Sequence, residues 1–338
     1  MDALRELLAE RDWLMADGAT GTTLFAAGLE AGEAPELWNL DNVAAIETLH
    51  DDFIAAGSDI ILTNSFGGTR ARLNLHDAQD RAYEINRRAA EIARRCADRA
   101  GRKVVVAGSM GPTGEILEPV GALSHADAVA MFAEQARGLL DGGADVLWAE
   151  TLSSEEELRA ADEAAAALDA PFCATLSFDT AGRTMMGVTS TGFAELAPGL
   201  PDRPIAFGAN CGVGASDLIR TVLGLSAAAP GAVLIAKANA GVPKYVDGAI
   251  VYDGTPELMA DYAHLARDAG ARIVGGCCGT TPAHLVAMRA ALEAHAPGPR
   301  PSLDAVAERL GGFSSETDGA GDSPGAAPKR ERRGRRRG

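Results

Sequence analysis

Three of the five cysteines lie where they could share a metal ion. Cys211 is part of the segment FGANCG, and Cys277 and Cys278 are adjacent in VGGCCG. Each segment ends a short apolar run that is typical of a β-strand, and each contains glycines that leave the backbone accessible. Thiolates are soft ligands that suit zinc, and a site with three protein ligands keeps one position free for a substrate. The pattern is therefore compatible with a catalytic Zn²⁺ site.

The spacing alone leaves other interpretations open. Cys277 and Cys278 could be a redox pair, although a disulfide between neighbours is strained and the CxxC spacing is absent. A closed structural zinc site would need a fourth ligand, and no further Cys or His accompanies the two motifs. We expect Cys96 and Cys173, which lie elsewhere in the chain, to be small buried side chains.

Eight short apolar runs, separated by stretches of helical composition, would position these residues. Strands that alternate with helices form parallel sheets, because parallel neighbours need a long crossover. Eight such units in about 290 residues predict an α/β fold of the (β/α)8 TIM-barrel type. The loops after the sixth and eighth strands then open on one face, which brings Cys211 towards Cys277 and Cys278. The runs are WLMA (13–16), DIILT (59–63), KVVVA (103–107), DVLWA (145–149), PFCATL (171–176), PIAFG (204–208), AVLIA (232–236) and ARIVG (271–275).

The sequence predicts one barrel domain over residues 1–300 and a flexible basic tail over 301–338. The last helical pattern ends near His295, and the remainder loses periodicity before it ends in RRGRRRG. We expect this basic end to be solvated. The formal net charge of the whole chain is −16, so the body of the protein would repel nucleic acid, and we expect no nucleic-acid partner.

The composition also indicates the compartment. The first residues carry charges throughout, without the apolar core of a secretory signal, and no window approaches 18 uninterrupted apolar residues. An odd number of cysteines favours reduced thiols over a disulfide framework. We therefore expect a cytoplasmic protein without membrane contact, whose oligomeric state stays open, a homo-oligomer included.

The strand-end motifs resemble those of the homocysteine S-methyltransferase family, also called the homocysteine-binding domain family. It includes betaine-homocysteine methyltransferase, S-methylmethionine-dependent enzymes and the first module of cobalamin-dependent methionine synthase. The resemblance covers roughly residues 12–296 and implies a zinc ion held by Cys211, Cys277 and Cys278. It also implies transfer of a methyl group to the zinc-bound thiolate of homocysteine, which yields methionine. The motifs are DGATGTTL, TNSFGGT, VAGSMGPTG, WAET, GANCG, KANAGVPK and GGCCGT.

Two acids are assigned to the amino acid substrate by this resemblance. Asp17 in DGATGT and Glu150 in WAET match acids that the family uses near the substrate, and we count Glu150 with the cysteines as catalytic. Gly18 and Thr20, beside Asp17, would offer backbone amides to the substrate carboxylate. Without a substrate, Asp17 would be a turn or cap residue and Glu150 a salt-bridge partner.

Three polar residues complete the predicted site. Asn239 in NAG resembles a residue that can occupy the fourth zinc position before homocysteine displaces it, although it could also cap a turn. Asn64 and Ser65 in TNSFGGT are expected to line the mouth of the barrel. The histidines fall outside the strand ends, so we expect surface or packing roles for His50, His76, His125, His264, His284 and His295.

The sequence leaves the methyl donor open. The motifs ATGT, SFGGT, GPTG and NAGVPK are nearer to the methionine synthase module than to the animal-type betaine enzyme, yet the chain lacks a DxHxxG corrinoid signature. A methylcorrinoid, linked to methyltetrahydrofolate, would therefore arrive on a separate protein. The alternatives are betaine and sulfonium compounds. A quaternary ammonium donor favours an aromatic cage, and Trp38 in the long first loop (17–41) is suitably placed for one.

Two other classes of protein remain alternatives. The barrel could bind zinc and an amino acid without catalysis, as a sensor or as the docking subunit of a methyltransferase complex. A barrel hydrolase or aldolase would need His or carboxylate ligands, or a lysine, at strand ends. Lys237, after the seventh strand, is the only such lysine, and no histidine clusters with it.

Overall fold

The computed structural model describes residues 2–201, 203–246, 249–317 and 319. Its strands are β1 (Leu14–Met15), β2 (Ile60–Leu62), β3 (Val105–Met110), β4 (Val146–Leu152), β5 (Phe172–Leu176), β6 (Ala206–Cys211), β7 (Leu234–Ala238), β8 (Lys244–Val246), β9 (Ala249–Val251) and β10 (Ala271–Gly276). Its α-helices are α1 (Ala3–Glu10), α2 (Thr20–Ala26), α3 (Trp38–Asp41), α4 (Val43–Ala55), α5 (Arg70–Leu73), α6 (Ala82–Asp98), α7 (His125–Asp141), α8 (Glu155–Ala166), α9 (Ser190–Leu196), α10 (Ala215–Ala228), α11 (Pro256–Asp268), α12 (Pro282–Ala294) and α13 (Leu303–Leu310).

Eight of these strands form one parallel sheet that closes into a barrel. The order of hydrogen-bonded neighbours is β1-β10-β7-β6-β5-β4-β3-β2. A parallel bridge between Ala16 and Ile60 joins the two ends. Each of the eight apolar runs overlaps one of these strands, and a helix follows each strand. The predicted (β/α)8 TIM barrel is therefore confirmed.

Side chains alternate between the inside of the barrel and the layer under the helices. On β1, Leu14 belongs to the inner cluster, whereas Met15 packs in the larger outer cluster. The two directions follow from the two-residue period of a strand. Leu4 and Leu7 of α1 join the inner cluster, so this helix covers one end of the barrel. The opposite end, to which the strands point their carboxyl ends, stays accessible.

The two remaining cysteines are packing residues, as the sequence predicts. Cys173 lies in the inner cluster of the barrel and Cys96 in the outer layer, and both are fully buried. No helix within the described part of the chain is long and apolar enough to cross a membrane.

The loops on the open face contain elements that the sequence analysis did not predict. The long first loop holds the short helices α2 and α3. Strands β8 and β9 form an antiparallel hairpin between β7 and α11. The sequence between β8 and β9 is Asp-Gly, which is the strongest short-range hairpin signal, so this hairpin could have been predicted.

Helix α13 lies within the segment 301–338 that we assigned to the flexible tail. Ser302 caps it by accepting a hydrogen bond from the amide of Ala305. Val306 and Leu310 are buried against the outer core. Eight residues are only about two helical turns, too short a segment for its period to stand out, which is why this helix was missed in the sequence. The RRGRRRG end lies outside the described residues, and the domain boundary at residue 300 stays a prediction.

His50 makes the stability of the fold sensitive to acid. Its side chain on α4 is fully buried, and neither ring nitrogen has a hydrogen-bond partner within the described residues. Burial lowers the pKa of His50 to about 4. Between this value and the ordinary pKa near 6.5, the unfolded chain binds a proton that the folded chain does not. The free energy of unfolding should therefore fall by about 3 kcal/mol through this window.

We expect His50→Leu to remove this part of the pH dependence of the free energy of unfolding, because leucine fills the site and binds no proton. Urea unfolding of both proteins at about pH 7 and pH 4 measures the difference between their pH dependences. His125→Leu is the matched control, since His125 is exposed. An equal loss of stability on acidification in wild type and His50→Leu would show that His50 is not the cause of the acid sensitivity.

Candidate metal centre and substrate cavity

The three predicted ligands meet at the open face of the barrel. Cys211 is the last residue of β6, whereas Cys277 and Cys278 directly follow β10, two strands away in the sheet. Their sulfur atoms all lie within 4.8 Å of one another, and Cys211 Sγ is 4.0 Å from Cys278 Sγ. The motifs that the sequence analysis paired thus form one cluster.

The backbone turns sharply at the first of these motifs. Cys211 has a φ of 60° and Gly212 a φ of 71°, both in the left-handed region. This conformation is strained for a side chain other than glycine, and such strain is typical of functional sites. It ends β6 abruptly at the residue that supplies the thiol.

Hydrogen bonds within the cluster shift the pKa values of the thiols. Contacts from Cys211 and Cys277 hold the pKa of Cys278 well below the usual thiol value, and the Tyr252 hydroxyl adds to this effect. Contacts with Cys277 and Cys278, together with burial, raise the pKa of Cys211. A thiolate at Cys278 is thus stabilised by its two neighbours, and a bound cation would replace the protons that they share.

The cluster fits a tetrahedral metal ion. A zinc ion with sulfur ligands at about 2.3 Å holds them about 3.8 Å apart, close to the observed separation. The same separation is about twice the length of a disulfide bond, so Cys211 and Cys278 are not covalently linked. All three cysteines are free and half-buried. The set is therefore a cluster of three thiols that could bind a metal and leave one coordination position for a further ligand.

A cavity of about 340 Å³ opens beside the cluster. This volume is at the lower end of the range for small-molecule sites. Its lining includes the cluster and most of the residues that we predicted to contact the substrate. These are Asp17, Gly18, Thr20, Asn64, Ser65 and Glu150.

Asp17 forms a buried ion pair with Lys237. Lys237 Nζ lies 2.7 Å from Asp17 Oδ1, and the amide of Leu62 donates to Asp17 Oδ2 over 2.7 Å. Burial raises the pKa of Asp17, which favours the neutral acid. Burial would lower the pKa of Lys237, but the carboxylates of Asp17 and Glu150 outweigh it and raise that pKa. Because two donors reach the carboxyl group of Asp17, the ionised pair is the better description.

Glu150 lines the cavity beside the cluster and has free hydrogen-bonding capacity. Ser109 Oγ donates to Glu150 Oε1 over 2.5 Å. Burial raises the pKa of Glu150 to about 7, against the positive charge of Lys237, which lowers it. Glu150 therefore titrates near neutral pH and can offer a carboxylate to a cationic group of a ligand.

The other predicted residues shape the cavity, either through a close approach of the backbone or through side-chain hydrogen bonds. Gly18 lies against the Thr280 carbonyl oxygen, which a Cβ at this position would approach to 2.6 Å, so only glycine fits. Asn64 donates to the Pro35 carbonyl, and Ser65 donates to the Ser109 carbonyl. The side chains of Asn64 and Ser65 thus hold the loops of the cavity together while lining it.

Asn239 lies beside the cluster but not on the cavity lining. Its amide nitrogen donates to the Gly212 carbonyl over 3.0 Å, whereas its buried Oδ1 has no hydrogen-bond partner within the described residues. An unpaired buried oxygen is costly unless something else satisfies it. A metal ion at the cluster is one group that would.

Asn210 is a site residue that the sequence analysis missed, although it lies in the GANCG motif. Its Nδ2 donates to Thr151 Oγ1 and approaches Cys277 Sγ to 3.8 Å, while its Oδ1 accepts from the Thr151 amide. Asn210 therefore ties the ends of β4 and β6 together and orients the Cys277 sulfur.

The outer part of the cavity differs from expectation. Glu36, Phe66, Arg72 and His76 line it, so His76 has a place at the site that we did not predict. Trp38 instead packs against the core and does not line the cavity. Among the described residues, Phe66 supplies the aromatic ring that lines it. The turn after β2 that carries Arg72 and His76 gave no periodic signal in the sequence.

The fold and the site together define a (β/α)8 barrel with a cluster of three thiols, able to bind a metal, at the carboxyl ends of its strands. The model of the homocysteine S-methyltransferase family matches residues 14–292. The chain therefore belongs to the homocysteine S-methyltransferase family.

Individual relatives agree with this assignment. The chain is 33% identical over 305 residues to methionine synthase of Mycobacterium tuberculosis, a match that covers 86% of this chain and 25% of that protein. The chain thus spans about a quarter of that relative. The metallated form of the homocysteine methyltransferase MmuM from Escherichia coli superposes with a TM-score of 0.71 at 28% identity, covering 86% of this chain and 99% of MmuM. A methyltransferase from Methanosarcina mazei, 13% identical with a TM-score of 0.54 over 87% of this chain and 98% of that one, shares the fold.

Proposed function

We propose that this protein is a zinc-dependent homocysteine S-methyltransferase, which moves a methyl group to the sulfur of homocysteine and forms methionine. The observation that carries the proposal is the meeting of three thiols, from motifs 67 residues apart, at the wall of a small-molecule cavity. Their arrangement leaves room for a fourth sulfur, which the substrate would supply. Free thiols at the site suit a reducing compartment, so we place this activity in the cytoplasm.

Cys211, Cys277 and Cys278 would hold the zinc ion, and Asn239 Oδ1 would be the exchangeable fourth ligand. Zinc supplies the positive charge that lowers the pKa of a substrate thiol to below neutrality. The thiolates of the protein offset most of that charge, so the substrate sulfur keeps its nucleophilicity. Asn210 holds Cys277 in place through its amide.

Glu150 would bind the ammonium group of homocysteine, because it lines the cavity and its carboxylate has one hydrogen-bond partner among the described residues, Ser109. Gly18 and Thr20, next to Asp17, would face the rest of the amino acid. These contacts fix the substrate at its amino acid end and direct its sulfur to the cysteines. A methyl donor would then approach from the outer part of the cavity.

Two donors are candidates. The similarity to a methionine synthase favours a methylcorrinoid, linked to methyltetrahydrofolate and presented by a partner protein. Betaine or a sulfonium compound is the second candidate, because the match to the homocysteine methyltransferase MmuM covers 99% of that chain rather than one module of it. Phe66 offers a single aromatic surface for such a donor, which is less than a cage.

The test is a parallel assay of reduced, zinc-loaded protein with homocysteine and betaine, S-methylmethionine or methylcobalamin. We expect methionine from at least one mixture, and no methionine after removal of zinc with a chelator. Methionine from betaine alone would exclude the corrinoid donor. Binding of zinc and homocysteine without methionine from any donor would instead support a sensor or docking subunit.

A further inference from the structure

The ion pair of Asp17 and Lys237 leaves a buried ammonium group with unused donors. Lys237 is 2% exposed, and its one hydrogen bond within the described residues goes to Asp17. A lysine ammonium has three donors, so two remain. The Lys237 side chain lines the cavity, and its Nζ lies 5.7 Å from the centre of the Trp148 ring. A ligand in the cavity can therefore reach this cation.

Asp17 is poorly suited to bind a substrate ammonium in this arrangement. One carboxylate oxygen accepts from Lys237 and the other from the Leu62 amide. A second cation at Asp17 would be repelled by the ammonium 2.7 Å away. Among the described residues no cation is hydrogen-bonded to Glu150, whose one such contact is with Ser109, so the two acids have different roles.

The charges around the cluster favour a cation at this place. A homocysteine carboxylate would enter a cavity that already holds the carboxylates of Asp17 and Glu150 and the thiolates of the cluster. Lys237 is the buried cation of this cavity among the described residues, whereas Arg72 and His76 are only half-buried, on the outer loop. Lys237 also interacts electrostatically with Glu150 and Cys277, so it lies near both the proposed ammonium site and the thiol cluster.

We propose that Lys237 binds the carboxylate of the amino acid substrate, and that Asp17 is a positioning residue that holds the Lys237 ammonium in the cavity. This inference rests on the proposed function and refines it, because it gives the two ends of the amino acid separate anchors. Glu150 binds the ammonium group and Lys237 binds the carboxylate. The substrate carries both groups on the same carbon atom.

The test compares homocysteine with aminopropanethiol, which is homocysteine without its carboxylate. Lys237→Met removes the charge at similar length. We expect the variant to lose at least about 10-fold in kcat/KM for homocysteine and little for aminopropanethiol, because a hydrogen bond to a charged group is lost only for the first. Lys237→Arg should restore part of the preference. Lys103→Met, at an exposed lysine paired with Glu6, is the control.

Equal losses on both thiols would overturn the proposal, since they would show that Lys237 acts only on the structure of the site. The single variant leaves Asp17 buried without its cation, which can unfold the protein. The double variant Asp17→Asn with Lys237→Met removes both charges and should fold. It should show the same loss of preference for the carboxylate.

A binding measurement separates this inference from the proposed function. Calorimetric titration of the reduced, metal-free protein with methionine and with its decarboxylated amine needs neither donor nor zinc. Wild type should bind methionine at least about 10-fold more tightly, and Lys237→Met should bind both compounds alike. Methionine synthesis with an unchanged preference in Lys237→Met would reject the role of Lys237 alone. Absence of both turnover and methionine binding in wild type would reject the proposed function and this inference with it.

Discussion

Replacing Cys278 with serine should remove stoichiometric zinc and reduce methionine formation at least about 100-fold, while the barrel stays folded. Loss of a residue that only supports a zinc ligand already costs about 10-fold to 100-fold, and Cys278 is a proposed ligand itself. Its thiolate is the one that the other two thiols stabilise most strongly. Serine fills nearly the same space, so we expect the fold to tolerate the change.

Metal content by elemental analysis and turnover under saturating homocysteine measure the two effects, and circular dichroism reports the fold. Cys96→Ser is the matched control, because it makes the same chemical change at a buried thiol on α6, where the carbonyl of Glu47 can accept a hydrogen bond from the new hydroxyl. A Cys278→Ser protein with full zinc and full activity would show that the cluster is not the metal centre.

The barrel was predictable because its signals are local and repeat. Each of the eight barrel strands corresponds to a short apolar run, and stretches of helical composition separate these runs, so the parallel sheet follows from the order alone. The meeting of Cys211 with Cys277 and Cys278 then follows from the geometry of a closed barrel. No long-range contact had to be guessed to bring the two motifs together.

The partners of individual side chains were harder to predict. Asp17 and Lys237 are 220 residues apart in sequence, and nothing local indicates that they form an ion pair. From the sequence, Asp17 is therefore predicted to contact the substrate, and Lys237 has a role only in an alternative chemistry. Asn210 was missed for a related reason, because its contacts with Thr151 and Cys277 depend on the register between strands.

The loops on the open face were the part of the site that the sequence predicted least well. Helix α5 has four residues, and a segment this short has no measurable hydrophobic period. Arg72 and His76 reach the cavity from this turn and from the one that follows it. Loops carry function on a rigid scaffold, so the positions that sequence periodicity describes worst are those that shape the entrance to the site.

Glu150→Gln should lower kcat/KM for homocysteine about 100-fold, because truncating a buried charge pair between protein and ligand removes its attraction and leaves the ligand charge unpaired. Glutamine keeps the size of the side chain and can still accept a hydrogen bond from Ser109, so the cavity should keep its shape. The loss should be small for mercaptobutanoate, which is homocysteine without its amine. Kinetics with the two thiols measure the difference. Ser154→Ala is a control on the same side of the barrel, since Ser154 caps α8 and does not line the cavity in the described part of the chain.

The pH dependence gives a second, independent signature of the same contact. Burial raises the pKa of Glu150 to about 7, so the carboxyl group is neutral below that pH and charged above it. Only the charged form attracts an ammonium group, and KM of the wild type for homocysteine should therefore rise as the pH falls from about 8 to about 6. Glu150→Gln has no proton to gain at this position, and its KM should stay high and flat over the same range. A parallel rise of KM in both proteins would mean that another group, such as the substrate thiol, controls the profile and that Glu150 does not bind the amine.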